Sequence, residues 1–221
     1  MRSISVREAD KLYTLYTEKF GKVSVMGRSI RKGKLHMGMS LFSLVEVGFI
    51  QGKSYNTLTD VVGLFNFTRS RQDLAKLSLF YRMSETLLSL IHGEEREKRV
   101  FDLLLETMNE VEERDLSAKE ISLIHTHFSF RLLDLLGYRP VTEKCVVCKG
   151  GVNGESYFSP SLSGVVCESC SVVTPCCLFL GDAGVLQQMF SSDTQFALRQ
   201  NSSLLGRILE EYLYSGLLEK Q

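Results

Sequence analysis

The sequence predicts an α+β protein: a small strand-rich barrel or sandwich at the N-terminus, then a helical domain interrupted by a compact four-cysteine element. Three observations carry this. From Tyr13 to about Asp60, short alternating apolar runs are separated by Gly, Lys and Ser, the pattern of strands in a small barrel or sandwich. From Arg69 onward, apolar residues recur at helical spacing. Between the third and last helical stretches lies Cys-x2-Cys-x18-Cys-x2-Cys, Cys145 to Cys170.

Each element follows in order. KLYTLYTEKFG alternates Leu12, Thr14 and Tyr16 against Tyr13, Leu15 and Thr17, then turns at Gly21. KVSVMG repeats the alternation with Val23 and Val25. SLFSLVEVGFI is a longer apolar strand, and TLTDVVGLF follows it. RSRQDLAKLSLFYRMSETLLSLI places Leu74, Leu77, Tyr81, Leu88 and Ile91 on a helical stripe. REKRVFDLLLETMNEVEE does so with Val100, Leu104, Met108 and Val111. SAKEISLIHTHFSFRLLDLLG opens on Ser117 with Glu120 three residues on, a capping box, and closes on Gly137. SLLGRILEEYLYSGLLEK returns to helical spacing through Leu205, Ile208, Leu209 and Tyr212. The expected domains are residues 1–60 (basic β domain), 61–144 (helical), 145–170 (cysteine insertion) and 171–221 (helical return).

Charge is unevenly placed. The 221 residues hold 26 Lys/Arg and 26 Asp/Glu, yet residues 1–53 carry ten basic and four acidic residues. A basic N-terminal module expects an acidic partner, with nucleic acid the first candidate. No apolar run approaches the ~18 residues of a membrane span. MRSISVREADK lacks the apolar stretch of a signal peptide. The expected compartment is the cytoplasm, where thiols stay reduced and six cysteines are metal ligands or buried thiols rather than disulfides.

The four cysteines have zinc-site spacing. Thiolates two apart on a tight turn can face one ion, and two such turns complete a tetrahedron. Cys145, Cys148, Cys167 and Cys170 would fill every position and leave none to activate water, which points to a structural site. An iron–thiolate redox centre and two metal-free buried pairs are the alternatives. Cys176 and Cys177 read as small buried hydrophobes.

The second feature is KFGKVSVMGRSIRKGK. It carries Lys19, Lys22, Arg28, Arg31, Lys32 and Lys34 and no acidic residue. In a strand–strand loop such cations can reach a phosphate backbone. Contact with ~6 phosphates of single-stranded DNA would give a log–log salt slope of about −4, and Phe20 and His36 could stack on bases. A solvated basic loop is the plain alternative. Gly27 to Lys34 is no P-loop: five residues separate its glycines, and Leu35 stands where Mg²⁺ needs a hydroxyl. His125 and His127 point to different faces and cannot form an i,i+4 metal pair. The acid-rich stretch from Glu94 to Asp115 reads as a solvated helix face, with a docking face for a basic partner as the other reading. No catalytic motif is found, and the protein is expected not to be an enzyme.

EADKLYTLYTEKFGKVSVMGRSIRKGK, then LLGYRPVTEKCVVC and YFSPSLSGVVCESC, resemble the RecO family of bacterial recombination mediator proteins over nearly the whole chain. The resemblance implies an N-terminal OB-fold-like β-barrel, a helical domain and an inserted four-cysteine element holding structural zinc. It implies binding of single- and double-stranded DNA, annealing of complementary strands, and a nucleoid-associated bacterial location. It also implies partnership with RecR and single-stranded DNA-binding protein, and through them loading of RecA onto gapped DNA. Met1 stands where the family's first strand should be ending, so either the barrel lacks that strand or it is closed differently. Two other functions compete with the mediator: a zinc-stabilised protein-interaction scaffold with no direct DNA role, and a redox enzyme using Cys-x-x-Cys.

Overall fold

The computed structural model describes residues 2–5, 10–28, 40–52, 55–91, 93, 96–152, 154–175, 177–191 and 202–213. The chain folds as two compact units, residues 1–115 and 116–221.

The first unit opens with five strands: β1 (Arg2–Ser5), β2 (Lys11–Thr17), β3 (Gly21–Gly27), β4 (Ser43–Ile50) and β5 (Asn56–Asn66). They form one sheet in the order β1-β2-β3-β5-β4, antiparallel except where β3 meets β5. This is an OB-fold-like sheet. The first described strand, β1, is short, four residues against seven in β2, and is paired from Arg2↔Thr14 to Ser5↔Lys11. Among the described residues no ladder joins β1 to β4.

Alternation explains the interior. Tyr13, Val23, Val25 and Leu58 are buried together, with Leu15, Val47, Phe49 and Val61 packed against them. The β2–β3 turn is tight because Gly21 takes a φ of 63°, which glycine adopts at no steric cost. Thr17 Oγ1 accepts the Phe20 N–H at 3.0 Å and donates to the Gly21 carbonyl at 3.2 Å.

Three described helices follow in this unit: α1 (Thr68–Gln72), α2 (Leu74–Leu90) and α3 (Lys98–Glu113). The spacing predicts one helix from Arg69 to Ile91, but the chain breaks at Asp73. Its carboxylate accepts the N–H groups of Ala75 at 2.8 Å and Lys76 at 3.1 Å, so it caps α2 rather than continuing α1. Phe67 and Phe80, each 1% exposed, meet edge-on at 5.8 Å and bind the end of β5 to α2. Glu112 leaves the acidic surface expected for α3: it is buried and accepts the N–H groups of Arg69 at 3.0 Å and Ser70 at 2.8 Å. A carboxylate from α3 thus satisfies donors in the first turn of α1.

The second unit is built around α4 (Ala118–Leu135), whose residues from Leu123 to Phe130 are all buried. Its capping box is formed as expected. Ser117 Oγ accepts the Glu120 N–H at 3.3 Å and Glu120 Oε2 accepts the Ser117 N–H at 2.8 Å. Gly137, at φ 82°, ends the helix while Tyr138 N–H donates back to the Leu133 carbonyl at 2.8 Å. Both histidines of α4 are buried, and His127 Nε2 lies 2.9 Å from the Ser191 carbonyl, which also accepts from Arg131.

Strands β6 (Ser156–Ser159), β7 (Gly164–Cys167) and β8 (Leu178–Gly181) form a second sheet in the order β7-β6-β8, with the short α5 (Glu168–Ser171) between β7 and β8. After it come α6 (Ala183–Gln188) and α7 (Ser202–Glu211), which packs on α4. Tyr212 OH donates to the Tyr138 carbonyl at 2.9 Å, and its ring meets Phe158 at 5.6 Å. The helical spacing expected beyond Tyr212 runs outside the described residues. No described helix is long and apolar enough to cross a membrane.

Candidate metal centre and nucleic-acid interface

The sequence Cys145-Val-Val-Cys148 closes a turn: Lys149 N–H donates to the Cys145 carbonyl, and Cys145 N–H to the Gly150 carbonyl, both at 2.9 Å. Lys149 sits at φ 63° and sends its ammonium back to the Val146 carbonyl at 2.8 Å. The second pair stands where β7 runs into α5, with Cys167 as the residue before the helix and Cys170 inside it. Val146 N–H donates to the Val165 carbonyl at 2.9 Å and Val165 N–H to the Val141 carbonyl at 2.8 Å, so the first turn is tied along β7. Gly164 makes that approach possible. A Cβ there would lie 2.4 Å from Val146 Cγ1 and 2.8 Å from the Val141 oxygen, distances no side chain tolerates.

This folding brings all four sulfurs within 4.8 Å of one another. Cys148 Sγ and Cys167 Sγ are 3.8 Å apart. Tetrahedral zinc with Zn–S near ~2.3 Å needs sulfurs about 3.8 Å apart, so the donor set fits such an ion in number, softness and spacing. Burial opposes ionisation of Cys145, yet donation from the N–H groups of Cys167, Cys148 and Val147 brings its thiol down to about 6. Hydrogen bonding to Cys167, burial and the neighbouring Cys148 and Cys145 sulfurs push Cys170 up to about 12. Four thiolates repel one another unless a cation stands between them. The four cysteines could therefore hold a metal. Of the other two, Cys177 is half-buried and Cys176 lies outside the described residues.

The basic residues are less gathered. Lys19 is exposed in the β2–β3 turn beside Phe20, which is 54% exposed and packs edge-on against Phe49 at 5.5 Å. Arg28 is exposed just beyond the far end of β3, roughly 20 Å from that turn at the rise of an extended strand. Arg31, Lys32, Lys34 and His36 lie outside the described residues. Lys22 is half-buried, and its ammonium donates to the carbonyl of Ile91, the residue that ends α2.

A second anchor stands beside it. Tyr16, directly across the ladder from Lys22, donates its hydroxyl to the Glu97 carbonyl at 3.3 Å. Burial, then the Glu97 charge, pushes the Tyr16 phenol up to about 12. These two side chains hold the β2–β3 hairpin on the segment joining α2 to α3. Periodicity marks Tyr16 only as one face of a strand, and nothing in the sequence names Ile91 or Glu97 as partners.

Comparison with known proteins matches both parts of the chain. The family model described as "Recombination protein O N terminal" matches residues 1–67, and "Recombination protein O C terminal" matches residues 71–220. A "DNA repair protein RecO" of Rubrobacter xylanophilus is 30% identical over 96% of this chain and 84% of its own. The protein of that name from Caldanaerobacter subterraneus is 25% identical over 96% of this chain and 85% of its own. One from Desulfitobacterium hafniense is 31% identical over 77% of this chain and 62% of its own.

Proposed function

The chain belongs to the RecO family, and from that premise we propose that it is a DNA-binding recombination mediator acting without catalysis. It binds single- and double-stranded DNA through the OB-fold-like sheet, brings complementary strands together, and with RecR and single-stranded DNA-binding protein helps place RecA on gapped DNA. The observation that carries this reading is the match of both RecO models along one chain that opens with a basic, OB-fold-like sheet.

The mechanism is electrostatic. Lys19 and Arg28 are exposed at either end of β3; with Arg31, Lys32 and Lys34 they hold the phosphate backbone. Phe20 offers a sequence-tolerant stacking face. Neutralising phosphates on two strands lowers their repulsion and concentrates them for pairing. Lys22 contributes by position, since its ammonium is engaged with Ile91. Five cations instead of six give a single-stranded salt slope of about −3.5.

Zinc is the metal proposed for Cys145, Cys148, Cys167 and Cys170. It would supply cross-linking of the two turns and neutralise part of the thiolate charge. The residues themselves do the rest: Cys145 is buried under β7, and the amides of Cys167, Cys148 and Val147 stabilise its thiolate. With four protein ligands there is no open position, so the centre stabilises the β6–β7–β8 sheet rather than performing chemistry. Fluorescence-monitored strand annealing across salt concentrations, with elemental analysis for zinc, tests both halves of the reading.

A further inference from the structure

β5 is the longest strand, eleven residues, and it pairs with β4 along its length. It meets β3 only at Asn56 and Thr57. The β4–β5 ribbon therefore runs on past the sheet. One face of it is accounted for: Val47, Phe49, Leu58 and Val61 join the core. The other face is set by the register, which places Glu46 opposite Val62, Gly48 opposite Asp60 and Ile50 opposite Thr57. Leu64 follows Val62 by two residues, as the extra residue of the register shift between Leu44 and Val45.

On that face Ile50 is 66% exposed and Val62 49%, and Leu64, at the bulge beyond Val62, is 58% exposed. Scattered exposed aliphatics are ordinary, but Val62 and Leu64 at one end of this ribbon and Ile50 at the other leave apolar surface of the kind that partners cover. Between Glu46 and Ile50, the space over Gly48 is taken by Thr59 Oγ1 and Asp60 Cβ, 3.0 and 3.5 Å from where a Cβ would lie. Glu46 and Asp60 are both exposed, and neither is ion-paired among the described residues.

We propose that this outer face of the β4–β5 ribbon docks a basic, apolar segment of a partner protein. Three features select that occupant. Two unpaired carboxylates repel a phosphate backbone, so this is not a continuation of the nucleic-acid surface. A second copy packed about a two-fold axis would set the same carboxylates against each other. Lysine or arginine, by contrast, can pair with Glu46 and Asp60 while its methylene stem covers Val62 and Leu64. Docking is by side chains: the register shifts at Leu44/Val45 and Gly48/Phe49 leave Leu64 and Thr59 as extra residues, which break the regular ladder that strand addition along β5 would need.

The test uses the full chain and fluorescence anisotropy with labelled peptides of alternating lysine–leucine, lysine–serine and glutamate–leucine, alongside a labelled oligothymidine. Wild type is expected to bind the lysine–leucine peptide and neither of the others. Val62→Ser with Leu64→Ser, and separately Glu46→Lys with Asp60→Lys, should each weaken that binding about tenfold or more. The Val62→Ser, Leu64→Ser protein should keep its melting temperature and its oligothymidine affinity. Four results overturn the proposal: no binding of the lysine–leucine peptide; equal binding of the lysine–serine peptide, which makes the contact charge alone; self-association of wild type lost in the serine variant, which makes the occupant a second copy; or loss of oligothymidine affinity in that variant, which makes the face part of the nucleic-acid surface.

Discussion

The Lys22 ammonium donates to the backbone carbonyl of Ile91. A residue that belongs by sequence to the basic run is thereby turned onto the end of α2. Removing it should affect folding more than DNA binding. Lys22→Met loses a charge-assisted bond of about 1 kcal/mol at this half-buried position. The melting temperature should fall by a few degrees while the salt slope of oligonucleotide binding is unchanged. Arg28→Ala should do the reverse, with no thermal effect and a slope smaller by about 0.7. Equal slope losses in the two variants would place Lys22 among the phosphate ligands.

Glu112 gives the pH dependence. Burial resists its ionisation, but donation from Ser70 and Arg69 and the nearby Lys76 hold its pKa below the ordinary 4.5. A lowered carboxylate pKa stabilises the fold above the unfolded value, and that stability is lost as pH falls through the folded value. Glu112→Gln should therefore cost about 1–3 kcal/mol at neutral pH, and the gap from wild type in urea melts should close below about pH 4.5. A gap constant from neutrality into acid would show that the charge is not what caps α1.

Gly164 tests the packing of the first cysteine turn. Gly164→Ala places a methyl against Val146 and the Val141 carbonyl and should cost about 1–3 kcal/mol. It should also weaken metal retention, measured by competition with a chromogenic chelator. Unchanged retention would mean that the turn docks on β7 by another route.

Cys145 is the most buried of the four thiols. Cys145→Ser, or removal of the metal by chelation, should lower stability by several kcal/mol, since binding energy at such a centre is folding energy. Oligonucleotide affinity at low temperature should persist. A fully stable Cys145→Ser protein that had lost only strand annealing would move the working centre to the cysteines.

Much of this architecture is legible in the sequence, and the parts that are not share a cause. β2 to β5 and α3 and α4 fall close to where alternation, helical spacing and the Ser117–Glu120 box place them, because each is specified by residues adjacent in the chain. The break at Asp73 overrides a continuous apolar stripe through one side-chain cap. β8 is four residues long and pairs with β6 across twenty residues of chain, too short to show a period. Glu112 and Lys22 read as surface residues and are buried and half-buried, because their partners, Ser70 and Ile91, lie 42 and 69 positions away. The cysteine centre was legible as a set of ligands from spacing alone. The basic residues were legible only as a run, and β3 separates two of them, Lys19 and Arg28, by its full length.

The most direct test of the central claim is strand annealing followed by fluorescence from low to moderate salt, on wild type and on a variant with Arg28, Arg31, Lys32 and Lys34 all changed to Ala. Wild type should bind single strands with a log–log salt slope of about −3.5 and anneal them. The variant should lose most of that slope and anneal poorly while keeping its melting temperature and its zinc. Undiminished annealing by the folded variant at moderate salt would contradict the account.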